Sequence, residues 1–175
     1  MIALAGLFLL VSGVIAALSV EAALHRRRLR RLPIRIHVAG TRGKSSVSRL
    51  IACGLRVSGI PTSAKTTGSA ARYIDPEGEE WPLPRPSGAT IGEQTEVVAL
   101  ALRQDARALV VECMALKPAY HWFLEEKLIC ATHAVITNVR ADHLDVMGPT
   151  EADAARAIAS MIPRNGVLYT TERRH

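Results

Sequence analysis

The sequence is most informative at first through what it withholds. Met1 to Val20 contains no charged residue, and its only polar side chains are Ser12 and Ser19. The plain alternative is a buried core helix, and twenty residues without a charge speak against it and for a membrane span. Aromatic residues are scarce, with two Trp, three Tyr and two Phe in 175 residues. A basic-aromatic stacking surface for single-stranded nucleic acid is therefore not expected. The three cysteines, Cys53, Cys113 and Cys130, form no CxxC pair. They offer neither a zinc pattern nor a disulfide framework, and read as reduced thiols. No lysine follows Lys127. Neither an internal repeat nor a low-complexity tract is present.

The charge that does exist is placed unevenly. Five of the 22 basic residues are Arg26, Arg27, Arg28, Arg30 and Arg31, which account for most of the net charge of +6. They follow the uncharged run directly. About 20 apolar residues suffice for a helix to cross a hydrocarbon core. A cleavable signal peptide carries its positive charge before the apolar run, not after it. The order here predicts an uncleaved transmembrane anchor over residues 1–24, a basic juxtamembrane linker over 25–33, and a body over 34–175. The arginines place that body on the cytoplasmic side of a cell membrane with the short N-terminus outside. Anionic lipid headgroups are the expected partner of the arginine cluster, and nucleic acid is not.

Beyond the anchor, strand-length apolar runs alternate with helical patterns. Arg35–Ala39, Ala108–Val111, Ala134–Asn138 and 166–169 read as strands. Ser45–Val57, Glu93–Gln104, Pro118–Lys127 and Glu151–Met161 read as helices, the last capped by Thr150 with Asp153 three residues on. The polar stretch 61–92 lacks periodicity and reads as a functional loop region. Near-continuous apolar strands alternating with helices predict an α/β fold built on a parallel sheet covered on both faces.

One motif carries chemistry by itself. The first strand runs into Gly40, Thr41, Arg42, Gly43, Lys44, Ser45 and Ser46, and then into a helix. Glycines let backbone N–H groups approach an anion, and the helix N-terminus adds the positive end of its dipole. Lys44 is placed to reach terminal phosphates, and the Ser45 hydroxyl to hold the Mg²⁺ that accompanies them. The match to the P-loop pattern is incomplete, because Val38 stands where its first glycine would be. These residues are the expected ATP-phosphate site.

Two further segments narrow the reading. The second strand ends Val111-Glu112-Cys113-Met114-Ala115, and the third runs into Thr137-Asn138-Val139-Arg140-Ala141-Asp142-His143-Leu144-Asp145. Together with GTRGKSS, in this order, they resemble the Mur ligase family, and within it the branch that makes poly-γ-glutamate for capsules. The resemblance runs from Met1 to about Tyr169. It implies the P-loop domain of an ATP-dependent ligase that activates a glutamate carboxylate as an acyl phosphate, for attack by an amino group. It implies ATP and Mg²⁺ as cofactors, Lys44, Glu112 and His143 as catalytic residues, and Ser45, Glu112 and His143 as metal ligands. Other membrane subunits of a capsule synthase are the implied protein partners.

On their own residues these assignments compete with plainer ones. Glu112 also reads as an ordinary strand-end carboxylate, and His143 as a structural histidine held by Asp142. Asp142 and Asp145 read as orienting or capping groups. Lys65, Thr66, Thr67 and Gly68 fall where the resemblance places a substrate-side loop, and equally suit a solvated turn. Cys113 reads as a packed thiol. The family's usual lysine after the DHLD segment is missing, as are its adenine-binding residues and C-terminal domain. The chain therefore reads as the anchor and front part of such a ligase. The alternative is a membrane-anchored ATP-binding or assembly module that does not catalyse alone.

Overall fold

The computed structural model describes residues 2–68, 70–85 and 88–174. It opens with one long helix, α1 (Ile2–Arg31), which continues without a break through the arginine cluster. The segment Leu4–Arg31 is apolar and long enough to cross a membrane, and its most apolar window is not buried against the protein. Its last turns are different. Leu29 and the following Leu32 are 4% and 0% exposed, and the helix ends inside the core.

Seven strands form a single sheet: β1 (Ile34–Ala39), β2 (Thr62–Thr66), β3 (Arg72–Ile74), β4 (Glu80–Pro82), β5 (Ala108–Glu112), β6 (His133–Ile136) and β7 (Val167–Thr170). Their spatial order is β4-β3-β2-β5-β1-β6-β7. The five strands β2, β5, β1, β6 and β7 are mutually parallel, while β3 and β4 are added antiparallel at one edge. The expected α/β class with a parallel sheet is present, enlarged by a mixed edge. The enlargement comes from the stretch 61–92, which contributes three strands rather than one long loop. Its β2 is TSAKT, fully buried yet with no apolar run, so no hydrophobic signal marks it.

Helix α2 (Lys44–Val57) covers one face of the sheet. There Val47, Ile51, Ala52 and Leu55 pack on Ile36, Val38, Ala64 and Val110. Helices α3 (Glu93–Arg103), α4 (Pro118–Phe123) and α6 (Glu151–Ala159) cover the other face together with the end of α1. The alternation is the ordinary strand period of two: Ile36 and Val38 face α2, whereas Ala39, Val111 and Cys113 face the opposite layer. Past Phe123 the expected single helix loosens into a π-helical turn over Leu124–Ile129. A short helix, α5 (Leu144–Met147), follows β6. The capping box predicted for α6 is formed: Asp153 N–H donates to Thr150 Oγ1 at 3.2 Å and Thr150 N–H to Asp153 Oδ2 at 3.1 Å.

Candidate active site

In open α/β sheets, ligands bind at the carboxyl ends of the parallel strands. Here four such ends converge. The glycine-rich loop leaves β1, Thr67 and Gly68 leave β2, Glu112 ends β5, and Thr137 follows β6. The segments that leave these strands border a cleft of ≈ 310 Å³ whose wall includes Gly40, Thr41, Lys44, Thr67, Gly68 and Glu112, with Asp142 and His143 from the segment after β6.

The loop's shape is imposed on it from a distance. Gly40 has φ +125°, and a Cβ there would lie 2.2 Å from Thr137 Oγ1 and 2.9 Å from the Asn138 carbonyl. Thr41 N–H donates to the Asn138 carbonyl at 3.0 Å, and Thr137 N–H to the Ala39 carbonyl at 3.0 Å. The Asn138 amide closes a ring on Arg42, accepting its N–H at 3.2 Å and donating to its carbonyl at 3.0 Å. Thr137 Oγ1 donates to the same carbonyl at 2.8 Å, and Arg140 N–H donates to Thr41 Oγ1 at 2.9 Å. Arg42 reaches Asp142 at 3.3 Å. Asp142 is thus a partner of the loop more than of His143, whose Nε2 lies 3.9 Å away.

The start of α2 is open for an anion. Gly43 precedes it in the left-handed region at φ +81°, with no side chain capping the first turn. The first N–H groups of a helix have no intrahelical partner, so an uncapped N-terminus retains its attraction for negative charge. Ser45 and Ser46 belong to this first turn. Lys44 folds back over the loop, donating from Nζ to the carbonyls of Gly40 at 2.8 Å and Thr41 at 3.2 Å. Those are contacts a phosphate can replace.

Glu112 is 3% exposed and accepts the Thr67 N–H at 2.7 Å through Oε2. A Cβ added at Gly68, beside Thr67, would lie 3.5 Å from Ser45 Oγ. The β2–β3 connection therefore adjoins both expected oxygen ligands. Hard Mg²⁺ prefers oxygen and keeps several waters and substrate oxygens in its shell. A carboxylate and a hydroxyl suit it, and among the described residues no group of three His, Cys, Asp or Glu forms a fuller protein cage. His143 fits less well by chemistry. It stands in the left-handed region at φ +48° before α5, with half of its side chain exposed.

Of the residues expected from the sequence, Gly40, Thr41, Lys44, Glu112 and His143 share the cleft wall. Arg42 turns outward to Asp142, while Gly43, Ser45 and Ser46 form the junction of loop and helix. Of the four residues at the expected substrate-side loop, Thr67 and Gly68 reach the cleft, but Lys65 and Thr66 are buried in β2. Lys65 is 0% exposed and pairs with Glu93, which Arg85 also grips at 2.6 and 2.9 Å. Burial pushes the Lys65 ammonium below its ordinary value, and Glu93 partly offsets this.

Two sets of residues take parts that the sequence did not assign them. Thr137 and Asn138, read there only as the start of the segment leading to DHLD, shape the glycine-rich loop. Cys113 is packed, as expected, but its Sγ lies 3.4 Å from His121 Nδ1, and His37 faces it as well. Burial opposes ionisation of Cys113, yet the hydrogen bond with His121 and the proximity of His37 outweigh it and draw the thiol down to about 5. Burial likewise opposes a charged His37, but Cys113 and Glu125 raise it to about 9. Glu125 holds His37 Nδ1 at 2.9 Å and the Ala131 N–H at 2.7 Å, and it is the π-helical turn that brings it there.

A family model described as the Mur ligase middle domain matches residues 38–171. The chain belongs to the Mur ligase family. It is 45% identical over 154 residues to the capsule biosynthesis protein CapB of Bacillus anthracis, covering 87% of this chain and 33% of that one. It is 44% identical over 150 residues to the PGA synthase CapB of Bacillus subtilis (strain 168), covering 85% and 38%. This Mur ligase chain thus spans about a third of the length of the curated relatives it matches. Among solved structures, E. coli FolC in complex with ADP superposes with a TM-score of 0.63 at 19% identity, covering 88% of this chain and 42% of that one. That likeness is one of fold.

Proposed function

We propose that this chain carries the phosphate-binding part of an ATP-dependent amide ligase of capsule poly-γ-glutamate synthesis. The observation that carries the proposal is the cleft itself: an uncapped helix N-terminus with Lys44 on one side and the Glu112 carboxylate on the other, at the carboxyl ends of adjacent strands. The relatives, a capsule biosynthesis protein and a PGA synthase, give its direction.

A carboxylate is a poor electrophile at neutral pH. Transfer of a phosphoryl group from ATP turns it into an acyl phosphate, and an amino group then displaces phosphate to form the amide. The protein's part is placement and charge neutralisation. Gly40 to Ser46 would cradle the phosphates through backbone N–H groups, with Lys44 moving from the Gly40 and Thr41 carbonyls onto the terminal phosphate. Ser45 and Glu112 would hold Mg²⁺, and His143, which lines the same cleft, would be a further ligand by the family resemblance. Mg²⁺, when bound, offsets the negative charge between phosphate and carboxylate. Thr67, fixed by Glu112, puts the β2 end beside the same centre. Helix α1 would anchor the chain, with the arginine cluster holding the body on the cytoplasmic side.

Two measurements test this reading. The purified chain should bind a fluorescent ATP analogue, and Lys44→Ala should weaken it by about 10- to 100-fold, the worth of one charge-assisted hydrogen bond. Membranes containing the chain and its synthase partners should incorporate radiolabelled glutamate, and Lys44→Ala should abolish this; unchanged incorporation would refute the role of Lys44. Nucleotide binding without phosphate release, with or without glutamate, would favour an assembly module that is not catalytic alone. The chain's share of about a third of its relatives' length motivates that second reading.

A further inference from the structure

The helix that carries the apolar span does not hang from the domain on a flexible tether. His25 Nε2 is hydrogen-bonded to the Leu128 carbonyl at 2.9 Å, and Leu29 and Leu32 are built into the core. Above that junction, Leu18, Glu21 and Ala22 of α1 share a groove of ≈ 450 Å³ with Phe123, Lys127 and Leu128. Leu18 lies about 10 Å along the helix from His25, at 1.5 Å per residue. Phe123 therefore borders the same groove as the stretch of α1 from Leu18 to Arg26, where the apolar run gives way to the arginine cluster.

The residues around Phe123 match that depth. Tyr120, Trp122 and Phe123 are exposed, at 46%, 42% and 38%. Lys127 Nζ sits 5.5 Å from the Trp122 ring centre and Lys117 Nζ 5.9 Å from that of Tyr120. Trp and Tyr concentrate where bilayer meets water, apolar ring toward the chains and polar edge outward, and neighbouring lysines meet lipid phosphates. Arg26, Arg27, Arg30 and Arg31 add exposed positive charge on the adjoining turns. The acidic members of the groove are Glu21 and Glu126, and Glu126 is paired with Arg164 at 2.8 Å.

We propose that Tyr120, Trp122 and Phe123, with Lys117 and Lys127, form a second membrane contact that rests in the headgroup layer of the bilayer crossed by α1. This contact rests on the reading of α1 as a membrane span. It sets the orientation of the domain. The same short helix places the buried His121 on the wall of the candidate cleft and Phe123 on the groove beside α1, so on this proposal cleft and bilayer are neighbours.

Two tryptophans make the test direct. The full chain is reconstituted into phosphatidylcholine vesicles, with and without phosphatidylglycerol, containing lipids brominated at shallow or deep acyl positions. In a Trp81→Phe variant, which leaves Trp122 as reporter, shallow bromines should quench emission by about half, and deep ones less, as for an interfacial ring. In Trp122→Phe, the remaining Trp81 should be insensitive to bromine. Trp122 emission indifferent to bromine overturns the contact, and a blue-shifted but indifferent Trp122 assigns the surface to a protein partner instead. Alkaline carbonate separates this outcome from failure of the anchor. A resistant chain with unquenched Trp122 keeps the span and loses the contact; an extracted chain with unquenched Trp122 loses both.

Discussion

Gly40→Ala and Gly43→Ala form a matched pair that isolates the crowding of the phosphate loop. Both glycines have positive φ, +125° and +81°, so both alanines incur backbone strain of roughly 1–2 kcal/mol. Only at Gly40 is the new methyl obstructed, by Thr137 Oγ1 at 2.2 Å, the Asn138 carbonyl at 2.9 Å and the Thr137 nitrogen at 3.0 Å; at Gly43 nothing lies within 4 Å. Two of the three obstructing atoms are backbone, so the loop or the end of β6 must shift. Overpacking of that kind costs about 1–3 kcal/mol more. For a chain of this size each kcal/mol lowers the melting temperature by about 2–4 °C. Gly40→Ala should thus melt roughly 2–12 °C below Gly43→Ala, by those two ranges. Differential scanning fluorimetry of the detergent-solubilised chain gives the first readout and equilibrium dialysis of labelled ATP the second, where Gly40→Ala should be the weaker binder. Adding Thr137→Ala to Gly40→Ala removes the nearest obstructing atom but not the backbone ones, so recovery should be partial. Equal melting of the two alanine variants would refute the claim that the end of β6 moulds the loop.

Asn138→Ala removes both hydrogen bonds that close on Arg42, worth about 1 kcal/mol each. Amide exchange at Thr41 to Lys44 should quicken severalfold while β5 amides stay protected; unchanged exchange would show that the ring does not hold the loop. Glu93→Gln leaves the buried Lys65 with a neutral partner, and breaking such a pair costs about 3–5 kcal/mol. Hydrogen bonds from Arg85 and Lys65 hold the Glu93 carboxyl below its ordinary 4.5, against the opposing effect of burial. Its stabilisation is therefore full above pH 4.5 and lost as pH falls through the lower folded value. Urea titrations from pH 6 to pH 3 should show an acid loss in the parent chain that is shallower in Glu93→Gln, and parallel curves would contradict the assignment.

The legible parts of this molecule were those whose signal is local. Helix α2 announced itself by Val47, Ile51 and Leu55, α6 by its capping box, and β1, β5, β6 and β7 by apolar runs. Strand β2 escaped because its burial is chemical rather than hydrophobic, and β3 and β4 because each is only three residues long, β4 being exposed throughout. In β2 the polar Thr62, Ser63 and Thr66 and the charged Lys65 are all buried, and the partners of Ser63 and Lys65, Tyr73 and Glu93, lie outside the strand. The candidate site divides in the same way. Its glycine-rich wording is continuous from Gly40 to Ser46, and the structure places it between β1 and α2 as the sequence predicts. The Cys113, His37, His121 and Glu125 cluster joins strand, helix and π-helical turn, and no spacing rule connects His37 to a carboxylate 88 residues away.

The clasp of Thr137 and Asn138 on the glycine-rich loop also has a consequence in time. Strand β1 pairs with β5 and β6, both of which are made after it, and the loop takes its contacts from the end of β6. A nascent chain that has emerged from the ribosome only as far as α3 already contains every letter of GTRGKSS and possesses no phosphate site. The motif is written early and becomes an object late, when the last of its neighbours is translated and docks beside it.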